Sequence, residues 1–263
     1  MKNPIIAIII TVMGILSSCA AENGVETQTT AATETAAQSS VTETSKPTVT
    51  APIRNIDPDK PMVALTFDDG PNLTTTMNVL SVLEENNVVA SFFLVGNNIT
   101  PSTERVILRA WEMGCEIDNH SKSHSYMNRM TEEEILEEVN FVSDKVEEIT
   151  GEPTKFFRPP FIAVSDEMYS AIDMPFICGA GCNDWDSKVT KEQRVENTLS
   201  QVKDGTIILL HDSQGNTQTV EALKEIIPAL LDEGYQFVTV GELFEAKGVE
   251  IDSEDTNLYT VVG

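Results

Sequence analysis

Positive charge is scarce in this chain. Of its 263 residues only 17 are Lys or Arg against 42 Asp or Glu, a formal charge of −25. Such a surface repels phosphate backbones, which argues against nucleic acid and favours a neutral or cationic substrate. The glycines form no dinucleotide fingerprint and no Gly-x-x-x-x-Gly-Lys stretch occurs, so a nucleotide-binding sheet has no support. The nearly unbroken apolar stretch Ile5–Leu16 covers twelve residues, short of the roughly 20 that span a bilayer. Histidine is rarer still, with three in the whole chain, His120, His124 and His211. Each of them stands beside another chemically capable group.

The N-terminal apolar stretch follows Met1-Lys2-Asn3-Pro4 and precedes Leu16-Ser17-Ser18-Cys19. It has the length of a signal-peptide core, and the four residues ending at Cys19 resemble a bacterial lipoprotein box, in which the cysteine is acylated and becomes the mature N-terminus. Residues 1–18 are therefore read as a lipoprotein signal peptide. Residues 20–52 are dominated by Thr, Ala, Ser, Gln, Val and Glu and contain no aromatic residue. They cannot bury enough apolar area to offset their ordering entropy and read as a disordered tether behind the lipidated Cys19. A flexible coil of these 33 residues reaches about 30 Å on average and about 110 Å when extended. The protein is expected outside the bacterial cell membrane, held there by its lipid. Of the remaining cysteines, Cys115, Cys178 and Cys182, an odd number rules out complete internal pairing; a Cys178–Cys182 disulfide and buried free thiols both remain open.

From about Asp57 short apolar runs alternate with stretches of helical period. The runs are Met62–Phe67, Val88–Val95, Cys115–Ile117, Lys155–Phe157, Pro175–Cys178, Thr206–Leu210 and Gln236–Val240. In Thr131–Thr150 apolar residues recur every three or four positions behind the capping box Thr131-Glu132-Glu133-Glu134. A second helix runs through Val220, Leu223, Ile227, Leu230 and Leu231 and ends near Gly234. About seven strands with helices between them give an α/β fold of parallel βαβ units, either a barrel or an open doubly wound sheet. The domain is placed at residues 53–248, followed by an acidic tail, residues 249–263, that carries no structural reading.

Asp68/Asp69, His120, Arg158, Asp184 and His211 all follow strand-like runs, where βα barrels place their chemistry. Thr66-Phe67-Asp68-Asp69-Gly70-Pro71 taken alone could be a turn. Successive side chains at a strand end, however, point in different directions, so one carboxylate can bind metal while the other faces a water. His120 and His124 put two imidazoles on one side of the backbone. The residue after His120 is Ser121, where a zinc-protease helix has Glu, so a peptidase loses ground. The iron-oxygenase facial triad is weak as well, because Asp69 lies far upstream of His120 in an α/β chain. Arg158-Pro159-Pro160-Phe161 is stiff and suits holding a guanidinium against a carboxylate, unless it is simply a loop. Asn183-Asp184-Trp185 offers a carboxylate to orient an imidazole beside a ring that is either a sugar-stacking surface or a core residue.

Thr66-Phe67-Asp68-Asp69-Gly70-Pro71, His120-Ser-x-x-His124, Arg158-Pro159-Pro160, Asp184-Trp185 and Leu209-x-His211 occur in the order of the NodB-like polysaccharide deacetylases, a carbohydrate esterase family that the chain resembles over roughly Lys60 to Lys247. The resemblance implies a distorted (β/α) barrel in which Asp69, His120 and His124 hold one divalent metal ion. Zinc is the first expectation, and Co, Ni, Mn or Fe also suit the donor set. It implies Asp68 as the base for the attacking water, oriented by Arg158, and His211 as the acid for the leaving atom, tuned by Asp184. Leu209 would line the acetyl pocket, the Phe161 N–H would help hold the oxyanion, and Trp185 would face the sugar. Two departures stand out: Phe161 replaces the family's Tyr, and Gly181 replaces the first Asp of its Asp-x-x-Asp-Trp motif. Asp118, where Gly is common, has no interpretation at this level.

The expected function is a metal-dependent hydrolase that removes acetyl groups from N-acetylglucosamine-type units of a cell-wall or extracellular glycan, acting as a monomer. An O-acetyl esterase on xylan is the alternative, because the same site would release an alkoxide. A non-catalytic glycan-binding protein on this scaffold is the third reading, disfavoured because every residue of the machinery is present.

Overall fold

The computed structural model describes residues 54–250 and 255–263; the signal, lipid-anchor and tether readings lie outside them. Fifteen regular elements follow the alternation read from the sequence. They are β1 (Met62–Asp68), α1 (Thr75–Asn86), β2 (Ser91–Leu94), α2 (Glu104–Glu112), β3 (Glu116–Asn119), α3 (Glu132–Thr150), α4 (Asp166–Ala171), β4 (Phe176–Ile177), β5 (Ala180–Gly181), α5 (Lys191–Leu199), β6 (Thr206–His211), α6 (Thr217–Asp232), β7 (Gln236–Val238), α7 (Val240–Lys247) and β8 (Leu258–Tyr259). None of the described helices is long and apolar enough to cross a membrane.

The parallel sheet runs β3-β2-β1-β6-β5. One edge of β1 is shared: β7 pairs with Met62–Ala64 and β2 with Thr66–Asp68, while β6 runs along the other edge in the register Asp68↔His211. Every residue of β1 is buried, as a strand covered on both faces must be. Its side chains alternate between two cores. Met62 and Ala64 join Phe93, Ile177, Ile207 and Val238 in the interior enclosed by the strands. Val63, Leu65 and Phe67 pack outward with Leu80, Val106, Leu223 and Ile227 of the helices.

The sheet does not close. Between β3 and β6 it is continued by single parallel bridges, Asn119↔Phe157 and Phe157↔Phe176, and by the pair β4–β8. This is the distorted barrel expected, with short strands at its weak side. Lys155–Phe157, expected as a strand, contributes only the two bridges of Phe157 because the N–H groups of Lys155 and Phe156 are taken by Asp118 Oδ1. Val88–Ala90 fall outside β2: Asn87 ends α1 in a left-handed turn, and the Val88 N–H returns to Leu83 O. Leu258–Tyr259, in the stretch without a reading, forms β8 beside β4, and the Ile207 N–H and Cys178 N–H donate to Thr260 O and Tyr259 O. Cys115, Cys178 and Cys182 are all free thiols, so the Cys178–Cys182 disulfide is not formed.

Candidate active site and metal centre

The residues singled out by sequence gather at the carboxyl ends of the strands. Asp68 is the last residue of β1 and His211 the last of β6, and the register sets them side by side. His120 follows β3 and Arg158 follows the Phe157 bridge. The loops that turn away here are bent hard. Asp69, Ser121, His124, Phe161, Ile162 and Asn183 all have φ between 54° and 77°, a conformation costing of order 1–3 kcal/mol for each non-glycine residue unless its surroundings enforce it.

One ligand atom from each of Asp69, His120 and His124 lies within 4.8 Å of the others. Asp69 Oδ1 stands 3.4 Å from His124 Nε2 and 3.8 Å from His120 Nε2. His120 is buried, and its Nδ1 donates to the Arg158 carbonyl at 2.6 Å. That bond fixes the tautomer and leaves the Nε2 lone pair turned toward the carboxylates. Burial also lowers the His120 pKa, outweighing Asp68 and Asp69, so the ring is held neutral. Lone pairs of neutral imidazole and ionised carboxylate facing one another at this distance are a divalent-cation donor set. Two nitrogens and one oxygen fit zinc and equally cobalt, nickel, manganese or iron.

Beside this set Asp68 is buried, with Oδ1 accepting from Arg158 at 2.5 Å and Oδ2 3.6 Å from His120 Nε2. Burial pushes its pKa up, but the Arg158 guanidinium, with His211 behind it, holds it below the ordinary carboxylate value. Arg158 is fully enclosed, its guanidinium 4.0 Å from the centre of the Phe93 ring. On the opposite wall His211 Nδ1 meets Asp184 Oδ1 at 2.7 Å, and the His211 backbone N–H donates to Asp184 Oδ2 at 2.8 Å. Thr219 and Asn216 complete the shell: the Thr219 hydroxyl donates to Asp184 Oδ2 and the Asn216 amide to the His211 carbonyl. Burial opposes the charged imidazole, yet Asp184, with Asp68 and Asp69 behind it, raises the His211 pKa to about 9. One carboxylate is thus kept ionised and one imidazole kept protonated across neutral pH, an acid–base pair set by environment.

A cleft of about 610 Å³ opens over these groups, lined by His124, Phe161, Ile162, Cys178, Gly179, Gly181, Asn183, Trp185, Leu209 and His211. Trp185 is 66% exposed, so it is a rim residue and not part of the core. Phe161 is half exposed, and its backbone N–H has no acceptor among the described residues. Gly181 has room for a side chain, since an added Cβ would meet nothing nearer than Leu209 at 3.9 Å.

Sequence reasoning missed the groups that support this set from loops. Asp212 lies buried below Asp68–Asp69, accepting from the Thr76 hydroxyl, while its carbonyl receives the Asn72 amide. Asn98 donates to the Asp69 carbonyl. Tyr126 stacks on Phe161. Its place two residues after His124 was the available signal, but nothing in spacing says which loop it would meet.

The sequence matches the polysaccharide deacetylase family over residues 55–175. Over 193 residues, 73% of this chain, it is 49% identical to a bifunctional xylanase/deacetylase from Pseudobutyrivibrio xylanivorans and covers 32% of that protein. It is 36% identical to the peptidoglycan-N-acetylmuramic acid deacetylase PdaC of Bacillus subtilis over 73% of this chain and 40% of the other. The chain thus spans about a third to two fifths of the length of these curated relatives. A family 4 acetyl xylan esterase from Clostridium thermocellum, solved with a cobalt ion, superposes with a TM-score of 0.75 at 42% identity, over 76% of this chain and 98% of that one.

Proposed function

This chain belongs to the polysaccharide deacetylase family, and from that premise we propose that it hydrolyses acetyl groups from a polysaccharide outside the cell membrane. The observation that carries the reading is the meeting, over one cleft, of the Asp69/His120/His124 set with the Asp68–Arg158 and His211–Asp184 pairs.

In the mechanism these residues support, Asp68 takes a proton from the attacking water, and Arg158 keeps it ionised for that step. The Phe161 N–H donates to the carbonyl oxygen as negative charge develops on it. His211, charged and oriented by Asp184, hands its proton to the departing nitrogen or oxygen. Leu209 and Gly179 form the apolar wall for the acetyl methyl, and Trp185 offers its exposed face to a sugar ring. A divalent ion held by Asp69, His120 and His124 supplies Lewis-acid polarisation of the acetyl carbonyl and of the water; zinc is our first candidate.

The identities lend weight to the alternative substrate read from the sequence. They are higher on the xylan side, 49% and 42%, than for the muramic acid deacetylase, 36%. Acetylated xylan is accordingly our first substrate, and N-acetylglucosamine oligomers of the peptidoglycan or chitin type are the second. The second reading is favoured by His211, since an amine leaves only when protonated and this imidazole stays protonated to about pH 9. Acetate release measured in parallel on acetylxylan and on N-acetylglucosamine hexamer decides the order; release from neither would sink both.

We further propose that residues 1–18 are a lipoprotein signal, that Cys19 carries the lipid, that residues 19–52 tether the catalytic domain and that the domain acts as a monomer. The domain is proposed to begin near residue 53 and, since β8 pairs with β4, to include the C-terminal residues beyond 248.

A further inference from the structure

Phe161 and Ile162 are consecutive non-glycine residues in the left-handed region, with φ of 59° and 54°. Such a pair is uncommon, and for a β-branched residue like Ile162 it is an outlier. The backbone bonds that close this turn are Ile162 N–H to Pro159 O and Ala163 N–H to Pro160 O. Burial does little to hold Phe161, which is 51% exposed. Two rings grip it instead. His124 meets it edge-on with centroids 4.6 Å apart, and Tyr126 lies flat against it at 4.0 Å and an interplanar angle of 16°. Tyr126 is itself 53% exposed, with the Arg129 guanidinium 5.9 Å from its ring centre. Core packing therefore does not account for where this tyrosine sits. Its stacking partner is the residue whose N–H stands without an acceptor at the edge of the cleft.

Resting on the reading that the Phe161 N–H receives the developing oxyanion, we propose that Tyr126 is a positioning residue for the deacetylation. Its ring clamps Phe161 in the left-handed conformation and so sets the direction of that N–H. Without the flat face the turn relaxes toward negative φ, which phenylalanine prefers, and the N–H swings away from the acetyl carbonyl. The tyrosine hydroxyl makes no hydrogen bond among the described residues, so the clamp is the ring and not the oxygen.

Three variants and one spectroscopic readout test this. Tyr126→Ala is expected to lower kcat about tenfold with KM little changed, since the loss is felt as charge develops and not on binding. Tyr126→Phe, which keeps the flat face, should retain most of kcat. Adding Phe161→Gly to the alanine variant should recover part of the lost kcat, because glycine takes positive φ without a clamp. Independently of turnover, the Phe161 13Cα and 13Cβ shifts should report left-handed backbone in the unsubstituted chain and lose that signature in Tyr126→Ala. A chain that releases no acetate from any substrate would refute the functional reading, and the shifts would still decide the clamp. Unaltered Phe161 shifts in the alanine variant, or a raised KM with unchanged kcat, would overturn the proposal.

Discussion

Arg158 and Asp184 hold parallel places, one against Asp68 and the other against His211, the two groups proposed to move protons. Because Asp68 is buried, its ionised form depends on the Arg158 contact. Asp68→Asn removes the acceptor for the water's proton and is expected to cost about 10²–10⁴ in kcat, while metal content measured by elemental analysis stays near one per chain. The His211–Asp184 pair gives a pH prediction. The acid works only when protonated, so the rate falls as pH rises through the His211 pKa, about 9 in the unliganded protein. Removing Asp184 removes the hydrogen bond and charge that raise it. In Asp184→Asn the alkaline limb of the kcat/KM profile should therefore move down toward the ordinary histidine value of 6.5. A limb that stays in place would mean another group is the acid.

At the scale of elements, what could be read in advance followed the physics of burial and period. β1 and β6 are mostly apolar and were legible to within one residue of their ends, and the capping box of α3 forms as spaced, with the Glu134 N–H donating to Thr131 and the Glu134 carboxylate receiving the Thr131 N–H. Asp68, Asp69, His120, Arg158 and His211, proposed for metal binding and proton transfer, could be picked out because each follows a strand-like run. Two of the shortest elements were not legible. β5 and β8 have two residues each, too few for any period, and β8 acquires its partner only from across the fold, whereas β4, equally short, lies inside the expected run Pro175–Cys178. Asp118 was opaque for a related reason: its Oδ1 caps the Lys155 and Phe156 N–H groups, a contact invisible until β3 and that loop lie together. Two predictions belong here. Truncation before Asn257 should destabilise the domain by about 3 kcal/mol in urea unfolding, since it strips buried Val262 and the hydrogen bonds that β8 and its neighbours make to β4 and β6. Asp118→Asn concerns pH. Burial first, then Glu116, raises the Asp118 pKa well above 3.8. A carboxyl raised on folding contributes stability that is present below its unfolded pKa and is lost as pH rises through the folded one. The asparagine variant, which keeps the Oδ1 acceptor, should therefore gain on the parent as pH climbs from 4 to 8. A constant difference would mean that Asp118 does not titrate there.

For the whole molecule, the charge of −25 and the cleft walled by Leu209, Phe161 and Trp185 both suit the uncharged glycan proposed as substrate. The lipid proposed at Cys19 would hold the chain near a membrane surface. The proposed base, oxyanion donor and acid are all arranged around the Asp69/His120/His124 set. The most direct measurement is acetate release from acetylxylan and N-acetylglucosamine oligomers by the metal-loaded protein, with and without a chelator, and again after zinc or cobalt is returned. The account predicts release that the chelator abolishes and the metal restores. Release that survives complete removal of the metal, or a protein that holds one metal per chain and cleaves no acetyl group from either polymer, would contradict it.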